Sequence, residues 1–272
     1  MLPKLGRKRW IGAFTAGCGL LLAAGAQAES VRVIKFSEGK PFKMGEVTSM
    51  RIVHPDLGAK KTTLNYSVSK PGAEFAQHVH DESDDTILVL QGEVDLRQGD
   101  SLHRFRAGEC AFVPAGQIHG TVTAGTGEAT MISFQNPPDL VLYTGARDSK
   151  KPGAAAPKGV ITPGAVKYLT YNDKNGPVTS PAMGSERGAF THRKMNSGDA
   201  FKASIPDGGE QLFFLINGSI AVRDRAGTHQ AGMKDTVFIT GPAEVEVTAA
   251  SAGTLVVQVE APPGPPPAPL TK

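Results

Sequence analysis

The sequence predicts an all-β protein, because turn-forming residues are frequent and the apolar runs between them are short. There are 32 glycines and 20 prolines among 272 residues. The apolar runs at residues 86–90 and 212–216 extend over only a few positions each. Short apolar runs between frequent turns are typical of β-strands joined by tight connections.

An internal repeat predicts two similar β domains. When the chain is aligned with itself at an offset of 126 residues, residues 86–97 fall on residues 212–223. Gly72 and Gly92 then fall on Gly198 and Gly218, and each copy has an apolar run followed by an alternating one. Repetition of a supersecondary pattern at a fixed offset indicates repeated structural units. We expect these units at about residues 45–140 and 170–260.

The first 28 residues have the pattern of a secretory signal peptide. A basic start is followed by an apolar run at residues 11–25 and by the small-x-small triplet that ends at Ala28. The apolar run is shorter than the ~20 residues needed to span a bilayer. The sequence therefore predicts an exported protein, periplasmic or secreted, with no stable membrane insertion after cleavage.

Export changes the charge and the cysteine content. Removal of residues 1–28 takes away four of the 29 basic residues and none of the 26 acidic ones, which leaves a net charge of −1. A near-neutral chain gives no electrostatic basis for nucleic-acid binding. Cys110 is then the single remaining cysteine, so no intrachain disulfide is expected and the fold must depend on its core.

Composition sets the expected domain boundaries. We predict a signal peptide at residues 1–28, a first domain at 29–145, a linker at 146–164, a second domain at 165–260 and a tail at 261–272. The linker is rich in Lys, Gly, Ala and Pro, and the tail holds six prolines. Such a tail cannot join a sheet interior and is expected to be extended or disordered.

One group of side chains in the first unit predicts a metal site. His78 and His80 are two residues apart in a strand-like stretch, so both imidazoles leave the same face with their backbones ~6.6 Å apart. Asp85 begins the next apolar run, and a neighbouring antiparallel strand can bring its carboxylate to the same point. His119 follows the turn at residues 114–116 and adds a third imidazole.

These residues occur in a pattern that resembles the two motifs of the cupin superfamily. Gly72, His78, His80, Asp85 and Gly92 match the first motif, with Asp where the family usually has Glu. Gly108, Pro114, Gly116 and His119 match the second motif. The resemblance implies two tandem cupin-type jelly-roll barrels, with one divalent metal ion held by His78, His80, Asp85 and His119. Because Asp is shorter than Glu, Glu82 and Asp84 are alternative carboxylate ligands.

The second unit differs from the first at every ligand position. At the offset of 126, the ligands become Ser204, Pro206, Gln211 and Val245, and Glu210 beside Gln211 is the only acidic remnant of the ligand set. We therefore predict a degenerate, metal-free second domain with a packed interior.

The expected function follows from the ligand set. Three imidazoles and one carboxylate suit Mn, Fe, Co, Ni, Cu or Zn, and four ligands leave about two adjacent positions open on an octahedral ion. The resemblance implies a metalloenzyme that acts on a small oxygenated organic substrate, with a quercetinase-like dioxygenase favoured over a decarboxylase, lyase or isomerase. Glu74 and Tyr66 are candidate acid/base residues. The alternative is a non-catalytic periplasmic protein that binds a metal or a small ligand. A homo-oligomer is possible.

Overall fold

The computed structural model describes residues 30–264 and 270–271. In these residues there are 21 β-strands and no α-helix, with four short 3-10 segments at Phe36–Glu38, Pro55–Leu57, Leu142–Thr144 and Pro181–Met183. No helix in this part of the chain is long and apolar enough to cross a membrane. The predicted signal peptide lies outside the described residues.

The first half of the chain forms a barrel of two antiparallel sheets. The first twelve strands of the chain are β1 (Val31–Ile34), β2 (Lys40–Met44), β3 (Val47–Val53), β4 (Leu64–Ser69), β5 (Glu74–His78), β6 (Asp84–Gln91), β7 (Glu93–Gln98), β8 (Ser101–Arg106), β9 (Glu109–Val113), β10 (His119–Ala124), β11 (Ala129–Asn136) and β12 (Lys167–Thr170). The larger sheet has the strand order β12-β9-β6-β11-β4-β3-β2, and the smaller one has the order β5-β10-β7-β8.

The second half forms a barrel with the same plan. Its larger sheet has the order β1-β19-β16-β21-β14-β13, and its smaller sheet has the order β15-β20-β17-β18. Its strands are β13 (Gly176–Pro177), β14 (Ala189–Met195), β15 (Ala200–Ile205), β16 (Glu210–Asn217), β17 (Ser219–Arg223), β18 (Thr228–Gly232), β19 (Thr236–Thr240), β20 (Ala243–Ala249) and β21 (Thr254–Ala261). The predicted fold class, all-β with two jelly-roll barrels, is confirmed.

The strand pairing follows the repeat found in the sequence. Leu96 on β7 is opposite Thr121 on β10, and Val222 on β17 is opposite Val247 on β20. Each residue of the second pair lies 126 positions after the corresponding residue of the first pair. Gly92, in the turn after β6, has φ +79°, and a Cβ there would lie 2.6 Å from the carbonyl oxygen of Glu128. A left-handed backbone in close contact with its neighbour favours glycine, which explains its position in the repeat.

One hydrophobic cluster lies between the two barrels and contains side chains from both. Each strand of a two-layer barrel presents alternate side chains to its inner and outer faces. The outer faces of the two larger sheets pack together, with Leu88 and Phe134 from the first barrel in the same buried cluster as Leu212 and Phe214 from the second. Inside the barrels lie separate cores, around Ile87 in the first and Phe213 in the second.

Each barrel receives one strand from the other half of the chain. β1, which was assigned to the first domain, pairs with β19 of the second barrel. β12, which was assigned to the second domain, pairs with β9 of the first. β9 and β19 each pair on their other side with a strand of their own barrel. The exchanged strands therefore satisfy backbone groups that an exposed sheet edge would leave unpaired.

The linker and the tail both contact the barrels. Ser149 in the predicted linker donates a hydrogen bond to the backbone oxygen of Gln77, at 2.6 Å. In the tail, Leu270 packs against the core of the second barrel, and Thr271 forms a bridge to Ala200 on the outermost strand of the smaller sheet. Residues 265–269 and 272 of the tail lie outside the described residues.

Candidate metal centre

Three strand ends bring the predicted ligands together inside the first barrel. His78 ends β5 and lies opposite His119, the first residue of β10. His80 follows two residues after His78, on the same side of the chain. Asp85 lies on β6 of the larger sheet, so the site bridges the two layers of the barrel.

The four side chains form a compact, buried cluster. One ligand atom from each of His78, His80, Asp85 and His119 lies within 4.8 Å of the other three. The Oδ2 atom of Asp85 is 3.4 Å from Nε2 of His119 and 3.6 Å from Nε2 of His80. None of the four residues is more than 4% exposed.

The Nδ1 atom of each of the three histidines, on the side of the ring away from the cluster, has a hydrogen-bond partner. The Nδ1 atoms of His78 and His119 face the backbone oxygens of Ala76 and Gln117, at 2.8 and 3.0 Å. Nδ1 of His80 faces the carboxylate of Asp139 at 2.7 Å. Since a backbone oxygen or a carboxylate can only accept a hydrogen bond, these contacts assign the proton of each neutral ring to Nδ1. All three Nε2 lone pairs then point at one another.

Two buried polar atoms of the cluster have no hydrogen-bond partner in the described structure. They are Nε2 of His119 and Oδ1 of Asp85. Unpaired polar atoms are costly in a buried site, and three converging lone pairs beside a carboxylate repel one another. A divalent cation satisfies all of these groups at once, and imidazole with carboxylate suits a transition metal. The cluster therefore fits a site for one divalent transition metal ion.

Burial and the charges inside the cluster shift the pKa values of its ligands in different directions. Burial lowers the pKa of His78 well below its usual value, and the neighbouring His119 and His80 act in the same direction. Burial alone would lower the pKa of His80, but hydrogen bonds with Asp139 and Asp85 outweigh it and raise that pKa. Burial would raise the pKa of Asp85, but the histidines beside it lower the pKa instead. Asp85 is thus an anion within the cluster.

Asp139 is a functional residue that the sequence did not reveal. One oxygen of its carboxylate faces His80, and the other accepts hydrogen bonds from the backbone N–H groups of Val141 and Leu142. Arg147 donates to it at 3.1 Å. Burial opposes ionisation, but His80 and Arg147 outweigh it and lower the pKa of Asp139 to about 2. A carboxylate behind a ligating histidine fixes the ring orientation and its tautomer.

The alternative carboxylate ligands lie elsewhere. Oδ1 of Asp84 accepts hydrogen bonds from the backbone of Ala115 and from Arg187 of the second half, both at 3.0 Å. Glu82 is exposed in the turn before β6. Successive strand residues point to opposite faces, so Asp84 cannot share the direction of Asp85. Asp85 is the carboxylate that reaches the histidines.

The structure does not bring the two predicted acid/base residues to the cluster. Tyr66 packs between the barrels, with its ring 4.9 Å from that of Phe36 and 6.2 Å from that of Phe214. Its neighbours on β4 point into the barrel, and strand alternation turns Tyr66 outward. Glu74, at the far end of β5 from His78, forms ion pairs with Arg97 and Lys150. Neither residue is among the four clustered ligands or the residues that line the adjoining cavity.

A small cavity adjoins the ligands. Its volume is about 30 Å³, which is room for about two water molecules. Its walls combine apolar and small polar side chains: Phe42, Ser49, Asn65, Ser67, Phe75, Ile87, Thr121, Met131, Ile132, Ser133, Gln135 and Leu142. His78, Asp85 and His119 form its floor. The cavity can hold only a few atoms beside the ligands in this conformation.

Tyr143 closes this region from the segment after β11. Its hydroxyl donates to Oδ1 of Asn65 at 3.5 Å, and its ring contacts that of Phe42 edge-on at 5.4 Å. Burial raises the pKa of Tyr143 to about 12, and the charge of Asp85 acts in the same direction. Asn65 and Phe42 both line the metal cavity. No periodic pattern marked Tyr143 in the sequence, because it lies in a 3-10 segment outside the repeat.

Comparison with known families supports the assignment of this barrel. Residues 65–134 match the family model named Cupin domain (Cupin_2). This range contains all four ligands and the strands β4 to β11 that surround them. The match covers the first barrel and not the second.

A curated relative and several solved structures are similar to the chain. Protein SchB of Streptomyces halstedii is 24% identical over 140 residues, which is 49% of this chain and 98% of SchB. The pirin YhhW of Escherichia coli, solved with nickel(II), aligns with a TM-score of 0.63 at 15% identity, over 86% of this chain and 100% of YhhW. An oxalate decarboxylase of Bacillus subtilis aligns with a TM-score of 0.65 at 13% identity, over 88% of this chain and 78% of its own. At these identities the structural matches show a shared cupin fold.

Proposed function

We propose that the first barrel is the active site of a metalloenzyme that acts on a small oxygenated organic substrate. The observation that carries this proposal is the convergence of three buried imidazoles and the Asp85 carboxylate, with His78, Asp85 and His119 at the floor of a cavity. Cupin-fold proteins with similar structures include one solved with nickel(II) and one with Mn(II) centres. When bound, a divalent metal supplies Lewis-acid polarisation of substrate oxygen atoms.

The cavity size favours small substrates among those that the resemblance implies. A volume of about 30 Å³ admits only a few atoms unless the walls move, and a small acid requires less movement than a three-ring flavonol. We therefore favour oxygenolysis or decarboxylation of a small organic acid over a quercetinase-like reaction on a flavonoid. The second barrel, with none of the four ligand types at the aligned positions, is proposed to be metal-free.

Tyr143 is the proposed proton donor in place of Tyr66 and Glu74. Its raised pKa keeps the hydroxyl protonated at neutral pH, and its hydrogen bond to Asn65 holds the group toward the cavity. A positioned hydroxyl can protonate a carbanion or an oxyanion as charge develops on the substrate.

The alternative is a non-catalytic protein that holds a metal ion or a small ligand. The nearly closed cavity favours it, because a storage or sensing site needs no substrate channel. We also propose export through residues 1–28, with no nucleic-acid partner. N-terminal sequencing of the protein from fractionated cells tests this location, and a chain in the cytoplasm that begins at Met1 contradicts it.

Metal analysis followed by a turnover screen separates the two functions. The protein that begins at residue 29, purified without an affinity tag, is expected to hold one equivalent of transition metal by elemental analysis. Samples loaded with Mn, Fe, Co, Ni, Cu or Zn are then screened for oxygen uptake and carbon dioxide release with small keto acids, dicarboxylates and 1,3-dicarbonyl compounds. Turnover that is lost in Tyr143→Phe with the metal retained supports the enzyme. Full metal retention without turnover on the whole panel favours the alternative.

A further inference from the structure

An open groove lies directly outside the metal cavity. It has a volume of about 570 Å³ and shares Phe42 and Leu142 with the cavity as common walls. Displacement of these two side chains would therefore open a path from the groove to the four metal-ligating residues. The remaining walls come from β2, from Arg51 on β3 and from the segment after β11.

The groove is basic, although the chain without residues 1–28 is nearly neutral. Four cationic residues line it, Lys43, Arg51, Lys150 and Lys151, against a single acidic residue, Asp148. We call this lined groove the basic vestibule. One carboxylate oxygen of Asp148 accepts from the backbone of Gly45 and the other from the backbone of Lys150, so this acid is already used within the protein.

Two of the four cations are held by an oxygen atom of the protein, whereas the other two form no ion pair within the described residues. Lys150 forms an ion pair with Glu74 at 2.6 Å, and Lys151 donates to the backbone oxygen of Gly145 at 2.7 Å. Lys43 is exposed, and no carboxylate within the described residues forms an ion pair with Lys43 or Arg51. These two side chains keep their charge available to a ligand.

Arg51 is the more informative of the two, because it is only partly exposed. Its Nε atom is buried and has no hydrogen-bond partner in the described structure. Its guanidinium lies 4.9 Å from the centre of the Tyr143 ring, which holds the plane of the group in place. A buried N–H donor on a cation is costly to leave unpaired unless a ligand completes it.

The strand places Arg51 on the path to the metal. Arg51 is two residues from Ser49 on β3, and it lies opposite Asn65 on β4. Ser49 and Asn65 line the metal cavity, and residues two apart on a strand share a face. Arg51 thus extends the inner face of the barrel into the vestibule, above the tyrosine that closes the cavity.

We propose that the basic vestibule binds the carboxylate of an anionic substrate through Arg51, with Lys43 adding attraction from the rim. A guanidinium presents parallel donors that match the two oxygens of a carboxylate. This inference rests on the proposed function for its place in catalysis, since it assigns the substrate class as a small organic anion. It requires the anion to bind beside Tyr143 before it reaches the cavity.

Calorimetric titration with a charged ligand and its neutral counterpart tests the proposal. The metal-loaded full-length mature protein is titrated with succinate and with succinamide, which are similar in size and differ in charge. Succinate is expected to bind at least about tenfold more tightly, because one charge-assisted hydrogen bond is worth that much. Arg51→Met is expected to remove this preference, and Arg51→Lys to keep part of it.

The matched control is Arg225→Met, which removes an exposed arginine from the second half of the chain and is expected to leave the preference for succinate intact. Equal affinity of the wild-type protein for the two ligands, or unchanged succinate binding in Arg51→Met, overturns the inference. Metal content measured on the same samples separates this result from the proposed function. Arg51-dependent succinate binding in a preparation that retains no metal supports the vestibule and contradicts the metalloenzyme.

Discussion

The two barrels share one strand plan but differ in what fills their interiors. In the first barrel, Ser67 and Ile87 line the cavity beside the metal ligands. In the second, strand pairing places Arg193 and Phe213 at the matching positions. The guanidinium of Arg193 lies 3.7 Å from the ring centre of Phe201, and Phe213 is fully buried. The same backbone therefore supports a cavity or a packed core, depending on the size of a few inward side chains.

The polar groups at the ligand positions differ in the same way. Asp85 of the first barrel corresponds to Gln211 of the second, which accepts a hydrogen bond from Gln258 at 3.4 Å. Gln258 in turn accepts from Arg193 at 2.7 Å and donates to Glu260 at 2.7 Å. Side-chain hydrogen bonds link these groups to one another, whereas the histidine cluster leaves Nε2 of His119 and Oδ1 of Asp85 unpaired within the described residues. This contrast is the physical basis for proposing metal binding in one barrel only.

The largest expected effect comes from removing a ligand. His119→Ala deletes one of three Nε2 donors and leaves Asp85 beside two histidines, so metal content is expected to fall from one equivalent to nearly none after dialysis. Elemental analysis measures this. His229→Ala, in the second barrel, is the matched control and is expected to keep the full equivalent. If His119→Ala also keeps it, the ligand assignment is wrong.

A smaller effect is expected from Asp139, which supports His80 from behind. Asp139→Asn is expected to weaken metal binding by about 10- to 100-fold, because the tautomer and orientation of His80 are no longer fixed. Competition with a chromogenic chelator measures the affinity. Asp224→Asn removes the aspartate that faces His229 in the second barrel, at 3.5 Å, and is expected to leave metal affinity unchanged. Equal affinities in both variants would contradict the positioning role.

Asp139 also gives a pH dependence of stability. Its pKa is lowered to about 2 in the folded protein, against an ordinary value of 3.8. A depressed carboxyl pKa contributes stability that is fully present well above the unfolded value and is lost as the pH falls through the folded one. Urea unfolding of the metal-free protein is expected to show Asp139→Asn less stable by about 2 kcal/mol at neutral pH. The difference should shrink as the pH falls from about 4 toward 2.

The smallest expected effect comes from making the first barrel resemble the second. Ile87→Phe introduces the side chain found at Phe213 and is expected to cost about 1–3 kcal/mol of stability through overpacking. It should keep one equivalent of metal but exclude water from the cavity. With Mn(II) bound, the water-proton relaxivity is then expected to fall. Phe213→Ile in the second barrel is the control, and relaxivity that stays the same in Ile87→Phe would show that the cavity is not the water path.

Local spacing explains why the ligands could be predicted. His78 and His80 share a face because side chains two residues apart on an extended chain point in the same direction. His119 begins β10, which pairs with β5, and Asp85 lies at the start of β6, which pairs with β9. The repeat at 126 residues could be read for the same reason, since equal strands and turns impose equal spacing of apolar residues and glycines. These features depend on neighbours that are close in sequence or on a pattern that occurs twice.

The sequence by itself determined the all-β fold, the paired units and the three clustered histidines, because strand alternation and turn chemistry are local. Only the tertiary structure decided which strands the barrels exchange, that Asp85 faces the histidines, and that Tyr66 and Glu74 lie away from them. It also placed Asp139, Tyr143 and Arg51 around the site. The contact between Asp139 and His80 joins residues 59 positions apart, and that between Tyr143 and Asn65 joins residues 78 apart. No periodicity encodes such contacts, because they arise where an irregular segment folds back over a finished barrel.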